Sequence, residues 1–208
     1  VPKNTPAGTH GGTVTVNDTA MPFTITVWNF TLPDRLSFLP QMNAYSLPSH
    51  PRDYYRLAHE HRLVLNQLPY GWRGTVDEPA PKLGGDGKWD WTKFDAEFGP
   101  LLDGSAFADL PRGAVPVDAY YLLLNENWPM KHDEHFKGGY WIERAFDEAY
   151  WTQFRAMAAE IAKHLEAKGW TEPMFKFYLN NKVYFKKDDW RKCTAAWIFD
   201  ERVNTQDF

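Results

Sequence analysis

Five short apolar runs in this chain each end on amides, carboxylates or aromatic residues. The clearest is residues 197–199 (Trp-Ile-Phe), which lead directly into the adjacent acids Asp200 and Glu201. In α/β enzymes the functional residues follow the carboxyl ends of parallel strands, where several strands meet at one edge of the sheet. The pattern therefore predicts an α/β protein with a site at that edge. The residues that follow the other four runs are Asn43 and Tyr45, then Asn66, Tyr70 and Trp72, then Glu126 and Trp128, and last Asn180, Asn181 and Lys182.

Segments with helical spacing separate these runs. The strongest is residues 142–168, in which apolar residues recur every three or four positions and Gly169 follows as a stop signal. Shorter helices are predicted from an N-cap at Ser49 to His61, and within residues 89–107. Alternating strands and helices with right-handed crossovers produce a parallel sheet. The predicted strands are residues 38–42, 63–68, 115–124, 174–179 and 196–199.

The predicted fold is α/β, a partial (β/α)8 TIM-type barrel of about five βα units preceded by a β-hairpin. An open doubly wound sheet is the alternative, although no Gly-rich phosphate loop follows any of the predicted strands. The barrel domain is assigned to residues 34–208. A partial barrel would leave unpaired strand edges, so we expect further residues of the same protein or a partner chain to complete it.

The residues before this domain are predicted to form a small β-structure. Residues 1–12 have no periodicity and are interpreted as a linker. Residues 13–16 and 23–30 alternate apolar and polar residues across a turn at Asn17-Asp18, which indicates a hairpin. Because a two-stranded hairpin is not stable alone, residues 1–33 are interpreted as a linker and the remnant of an accessory β-domain.

Aromatic residues make up 16% of the chain, and several of them lie in Pro- and Gly-rich loops where core packing does not require them. Their rings can stack on the apolar faces of sugars while their N–H and O–H groups donate hydrogen bonds. A net charge of −4 lacks the basic footprint of nucleic-acid-binding proteins, and no apolar run reaches membrane-spanning length. No nucleic acid, no membrane and no cofactor is therefore expected, and a glycan is one class of partner on which the loop aromatic residues could stack.

Asp200 and Glu201 are the principal catalytic candidates, and Glu126 is the next. Neighbouring residues on a strand point to opposite faces, so both members of the pair can serve one pocket only where the strand ends and the chain bends. The alternative interpretations are a solvated acidic loop for the pair, and a carboxylate that orients neighbouring amides for Glu126.

Two further polar segments were considered as sites. Asn180, Asn181 and Lys182 offer hydrogen-bond donors without an acid, so they are predicted to position a ligand. His132 and His135 lie on a predicted loop and lack the His-x-x-x-His spacing of helical zinc sites, so no metal site is predicted.

Three features together resemble the family-123 glycoside hydrolases, which are β-N-acetylgalactosaminidases and their relatives. They are the acidic pair, the segment 125–129 (Asn-Glu-Asn-Trp-Pro) and the segment 27–33 (Val-Trp-Asn-Phe-Thr-Leu-Pro), which is similar to the strand leading from the family's β-sandwich into its barrel. The resemblance spans most of residues 23–207. Asn29 stands in place of the family's Asp, and Arg202 in place of the Pro that usually follows the acidic pair.

This resemblance implies a secreted or periplasmic enzyme that hydrolyses 2-acetamido sugars by a substrate-assisted, retaining mechanism. Asp200 would hold the acetamido N–H, and Glu201 would protonate the leaving oxygen. Trp128, Tyr70 and Trp72 would line the sugar subsites.

Two other functions remain open. If Asn180-Asn181 is the true equivalent of the acidic pair, the chain would be a non-catalytic carbohydrate-binding or assembly protein on a glycosidase-like barrel. Alternatively, it would be a conventional retaining glycosidase that uses Glu126 as acid/base, with a nucleophile from Asp200, Glu201 or a later strand.

Overall fold

A computed structural model describes residues 1–2, 4–44, 46–67, 79–124, 128–130, 132–135, 137, 146–177 and 206–207. The chain divides into two units, residues 1–34 and residues 35–208, and each is described by itself.

The first unit is an antiparallel hairpin of β1 (Gly8–Val16) and β2 (Thr19–Val27). The two turn residues, Asn17 and Asp18, both have positive φ angles of 46° and 61°. Positive φ at both central positions defines a type I′ turn, whose twist matches that of the flanking strands, and Asn and Asp tolerate this conformation better than other side chains.

The two faces of this hairpin differ sharply in polarity. Cross-strand partners share a face, so the register Val14–Met21 and Gly12–Phe23 places apolar residues together. The opposite face carries five of the six threonines, Thr9, Thr13, Thr15, Thr24 and Thr26, whereas Thr19 pairs with Val16 and His10 with Ile25. The apolar face consists of Val14, Val16, Met21, Phe23, Ile25 and Val27.

The prediction that residues 1–12 form a linker was wrong for its last five residues. β1 begins at Gly8, because Gly8–Gly12 pair along the ladder with Phe23–Val27. The Phe23 ring lies over Gly12, so closely that a Cβ at Gly12 would come within 2.5 Å of Phe23 Cζ. An aromatic ring that covers a strand glycine replaces the packing that the glycine cannot supply.

The second unit begins with a βαβ unit. β3 (Gln41–Ala44) and β4 (Val64–Gln67) are parallel, and α1 (Pro51–Glu60) connects them. The predicted N-cap at Ser49 is off by one residue, since His50 occupies that position with a positive φ and Pro51 begins the helix. The elements that follow are β5 (Lys82–Leu83), β6 (Trp89–Asp90), α2 (Thr92–Leu102), β7 (Ala119–Tyr121), α3 (His132–His135), α4 (Glu148–Lys168), β8 (Met174–Phe177) and β9 (Gln206–Asp207).

The described strands of the second unit pair in three sheets, which are β3–β4, β5–β6 and β7–β8–β9. β7 and β8 are parallel, and Cα atoms of β4 come within 8 Å of Cα atoms of β7. β4 of the first sheet therefore lies near β7 of the last, although the two strands are not paired with each other. β9 pairs antiparallel with β8 at Lys176 and Phe177. Barrel closure remains a prediction, because the predicted strand 196–199 lies outside the described residues.

The long helix α4 follows its predicted pattern closely. Tyr150, Phe154, Met157, Ile161 and Leu165 are all buried, which confirms the predicted apolar stripe. The Asp147 carboxylate accepts a hydrogen bond from the Tyr150 backbone N–H at 2.8 Å and caps the helix. The helix therefore begins at Glu148, and the predicted start at residue 142 was wrong, since residues 146 and 147 are not helical. Gly169, with φ 72°, ends it as predicted.

The helices cover one face of the β7–β8–β9 sheet with an aromatic core. Phe94 and Phe98 of α2 contact Tyr120 of β7, and Tyr120 also contacts Phe175 of β8. No helix in the described ranges is long and apolar enough to cross a membrane.

A buried polar cluster lies where strands β3, β7 and β8 begin. The Arg112 guanidinium and the Asp118 carboxylate form an ion pair at 2.7 Å, and both side chains are almost fully buried. The Asp118 carboxylate also accepts a hydrogen bond from the Leu36 backbone N–H, and the Asp118 backbone carbonyl accepts one from the Met174 backbone N–H. His59 of α1 completes the cluster, because its backbone carbonyl accepts from Arg112 at 3.4 Å.

His59 is held in its neutral form. Its ring stacks on Phe107 with centroids 4.0 Å apart, and Nε2 donates to the Val115 carbonyl at 3.0 Å. Nδ1 is buried, with no hydrogen-bond partner in the described part of the chain. Burial, reinforced by the nearby Arg112 charge, lowers the pKa of His59 from 6.5 to about 4.

This lowered pKa predicts a loss of stability in acid. Since the unfolded chain takes up the proton at the ordinary pKa, the free energy of unfolding should be unaffected above pH 6.5 and should fall as the pH drops towards 4. The expected loss from this group is about 2–3 kcal/mol. Urea unfolding at pH 7.5 and pH 4.5 measures it. His59→Gln should flatten the dependence, whereas the exposed control His61→Gln should not. Equal pH dependence in wild type and His59→Gln would contradict the prediction.

Candidate functional site

The β3–β4 sheet and the β7–β8–β9 sheet each have one face against the aromatic core and one face turned away from it. Leu65, Tyr120 and Phe175 pack in the aromatic core on the helical side. Successive side chains of a strand alternate between faces, so Asn66, Tyr121 and Lys176 lie on the opposite face. That face is polar at every one of these positions.

Asn66 is the central residue of this polar face. It lies on β4 in register with Asn43 on β3, and its Nδ2 donates to Asn43 Oδ1 at 3.2 Å and to Gln41 Oε1 at 3.1 Å. The Asn66 side chain is buried, and its Oδ1 has no hydrogen-bond partner among the described residues. A buried amide oxygen without a partner is costly, and it is ready to accept a hydrogen bond from a ligand N–H or O–H.

Tyr121 and Lys176 lie on the corresponding face of β7 and β8. They are Cα partners in the parallel register, so their side chains share a face, and both are buried. Lysine is rarely buried to this degree outside functional or paired settings. We name Gln41, Asn43, Asn66, Tyr121 and Lys176 the polar sheet face.

Gln41, Tyr121 and Lys176 are functional candidates that the sequence analysis missed. A signal for Lys176 was present, since it interrupts the apolar run 174–179 between Phe175 and Phe177. A signal for Gln41 was its position two residues before Asn43, on the same face of the predicted strand. Tyr121 had no such signal, because tyrosine suits either face of a buried strand.

Tyr55 fixes the end of β4 but is not a candidate base. Its hydroxyl accepts a hydrogen bond from the Gln67 backbone N–H at 3.3 Å. Burial raises the pKa of Tyr55 to about 12, so the phenol keeps its proton at neutral pH. We therefore assign Tyr55 the role of holding the carboxyl end of β4 next to α1.

Trp128 lies beside the β5–β6 hairpin. It is partly buried, and its ring meets Trp89 edge to face with centroids 5.7 Å apart. Of the predicted substrate-binding residues, the structure thus brings Asn43 and Asn66 together and packs Trp128 on Trp89. The predicted residues that lie outside the described ranges, and therefore stay predictions, are Asp200, Glu201, Glu126, Tyr45, Tyr70, Trp72, Asn180, Asn181 and Lys182.

His135 is engaged by a carboxylate. Its Nδ1 lies 3.1 and 3.2 Å from the two carboxylate oxygens of Asp147. The hydrogen bond from the Tyr150 backbone N–H is the main cause that holds the pKa of Asp147 below its ordinary value. The hydrogen bond with His135 lowers this pKa to a smaller extent. The predicted loop here is a one-turn helix, α3, yet within the described segments no group of three or more His, Cys, Asp or Glu residues is placed to hold a metal ion.

Comparison with known proteins identifies no relative from which a function could be inferred. No protein-family model, no curated protein and no solved structure matches this chain.

Proposed function

We propose that this chain is the barrel portion of a glycoside hydrolase that acts on 2-acetamido sugars, of the β-N-acetylgalactosaminide type. The observation that carries the proposal is the side chain of buried Asn66 on β4: its Nδ2 donates to Gln41 and Asn43 of the parallel strand β3, and its Oδ1 has no hydrogen-bond partner among the described residues. Sugar hydroxyls and the acetamido N–H are donors of the kind that this oxygen requires. The ends of parallel strands are also where barrel enzymes bind their substrates.

The proposed chemistry is substrate-assisted. The 2-acetamido oxygen of the sugar attacks its own anomeric carbon and displaces the leaving group, so the protein supplies no nucleophile. Asp200 holds the acetamido N–H and stabilises the positive charge of the oxazoline-like intermediate. Glu201 donates its proton to the leaving oxygen and then removes a proton from the attacking water.

The polar sheet face would orient the sugar ring for this attack. Asn66 Oδ1 accepts a hydrogen bond from a sugar hydroxyl, while Tyr121 and Lys176 add a hydroxyl and an ammonium group to the polar character of the face. Because Tyr121 and Lys176 are buried, hydrogen bonds made there face little competition from water.

A non-catalytic carbohydrate-binding or assembly protein is the second candidate. It is favoured by the composition of the polar sheet face, which carries amides, a hydroxyl and an amine but, among its described residues, no carboxylate. Such a face can bind a sugar without hydrolysing it. The conventional retaining mechanism through Glu126 is a third candidate.

Hydrolysis of N-acetylgalactosaminides with good and poor leaving groups tests these candidates. With the proposed mechanism, Glu201→Gln should slow the poor-leaving-group substrate about 100-fold or more, because the acid step is lost, and should affect the good-leaving-group substrate much less. Asp200→Asn should impair hydrolysis of 2-acetamido sugars in particular. Glu126→Gln is the matched control and should retain most of the activity.

Three outcomes would decide against the proposal. Equal activity on sugars without the acetamido group would exclude substrate assistance, and loss of activity in Glu126→Gln alone would favour the conventional mechanism. Binding of N-acetylgalactosamine that weakens in Asn43→Ala, without turnover of any substrate, would favour the non-catalytic candidate.

A further inference from the structure

A groove of about 590 Å³ lies on the outer side of the helical layer, between the β5–β6 hairpin and α4. Its volume is in the range of roughly 300–1,000 Å³ that small-molecule sites occupy. Gly87 on the hairpin has no side chain, and Ala156 and Ala167 on the helix have only a methyl group, which leaves this space open.

At the end of the groove near α2, neighbouring residues hold the side chain of His164 in one position. His164 lines the groove, and its Nε2 lies 2.7 Å from Asp95 Oδ1. Lys168 Nζ lies 2.6 Å from the other oxygen of Asp95, and the His164 ring stacks on Trp91 with centroids 4.1 Å apart. These contacts fix the imidazole on its face and at one edge. Nδ1 of His164 makes no hydrogen bond within the described ranges.

Each side of the groove carries one lysine. Lys88 extends from the hairpin and Lys163 from α4, both exposed, and Glu160 is the carboxylate in the lining. Two ammonium groups on facing walls attract an anionic group between them. Glu160 can accept hydrogen bonds from hydroxyl groups of the same ligand.

Trp89 connects this groove to an aromatic residue that the sequence predicts to bind sugar. The Trp89 ring lines the groove, is partly exposed, and contacts Trp128 edge to face. An indole ring offers a flat apolar face on which the CH face of a sugar can stack. The groove therefore combines a stacking surface, two cations and fixed hydrogen-bonding groups.

From this combination we infer that the groove binds an anionic saccharide, with a sugar ring on Trp89 and a carboxylate or sulfate between Lys88 and Lys163. The inference does not depend on the proposed hydrolysis, because it concerns binding at a different place on the unit and is tested without turnover.

The test is calorimetric titration of the full chain with three hexasaccharides: hyaluronan, which carries carboxylates, chondroitin sulfate, which also carries sulfates, and the neutral N-acetylglucosamine hexamer. We expect at least one anionic hexasaccharide to bind about tenfold or more tightly than the neutral one, and added salt to weaken that binding. Binding of both anionic probes would identify the carboxylate as sufficient, and binding of chondroitin sulfate alone would identify the sulfate. Neutral and anionic probes of equal affinity, or no binding of any probe, would overturn the inference.

Variants locate the binding in this groove. Lys88→Gln and Lys163→Gln should each lower the affinity for the anionic probe about fivefold, as expected for the loss of one exposed charge pair. Trp89→Ala should lower that affinity about tenfold. Arg155→Gln is the matched control, since Arg155 is an exposed cation on the same helix that pairs with Glu148 instead of lining the groove. Thermal unfolding of each variant shows that the fold is retained. If the double variant of Lys88 and Lys163 binds the anionic probe as tightly as wild type does, the groove is not the site.

Discussion

Asp118→Ala should lower the free energy of unfolding by about 3–5 kcal/mol, the usual cost of breaking a buried ion pair from one side. The substitution leaves the Arg112 guanidinium buried without its carboxylate, since the Arg112 side chain is 5% exposed. It also removes the acceptor for the Leu36 backbone N–H, which joins the segment before β3 to the start of β7. Urea unfolding at pH 7.5 measures the loss.

Two further variants separate charge burial from other effects of this substitution. Asp109→Ala removes the partner of Arg56, but the Asp109 side chain is 72% exposed, so water compensates and the loss should be far smaller. Combining Asp118→Leu with Arg112→Met should cost less than Asp118→Ala alone, because neither charge is then buried unpaired. A loss in Asp118→Ala no larger than that in Asp109→Ala would contradict this account of the cluster.

Gly104→Ala should also destabilise the second unit strongly, by about 2–5 kcal/mol. Gly104 has a φ of 81°, and a Cβ there would lie 2.5 Å from the Ala114 carbonyl oxygen and 2.8 Å from Pro116 N. Both atoms belong to the backbone that leads into β7, so no side-chain rotation can relieve the contact. The chain would have to shift between α2 and β7, and urea unfolding would record the cost.

Gly113→Ala is the matched control for this prediction. Gly113 has a similar φ of 75°, but a Cβ there would meet nothing within 4 Å. Its cost should therefore be limited to the left-handed backbone strain of about 1–2 kcal/mol. If both substitutions lower the free energy of unfolding by the same amount, the close approach of the Ala114 and Pro116 backbone does not constrain Gly104.

Local patterns in the sequence were sufficient for those elements whose signals lie within a few residues of each other. The α4 stripe from Tyr150 to Leu165 and the stop at Gly169 are visible because a helix repeats every 3.6 residues. The turn at Asn17-Asp18 is visible because these side chains tolerate positive φ. β1 was predicted too short because Gly8, Gly11 and Gly12 carry no side chains that could show an alternating pattern.

The candidate site was visible in the sequence only in part. Asn43 and Asn66 were found because each follows an apolar run, and the parallel register places them directly opposite each other. Lys176 was missed because it lies within a run instead of after it. Asp118 of the buried pair interrupts the predicted strand 115–124, so a signal for it was present, whereas Arg112 precedes that strand and carried no signal of burial.

The sequence by itself determined the approximate positions of α1, α2, α4, β4, β7 and β8, and that amides and aromatic residues follow the apolar runs, because these properties depend on neighbours along the chain. Only the tertiary structure decided that Asn66, Tyr121 and Lys176 lie on the sheet faces turned away from the aromatic core. That arrangement depends on the register between strands and on which face α2 and α4 cover. A shift of one residue in a strand moves every side chain to the other face, so no local pattern can specify which polar residues meet.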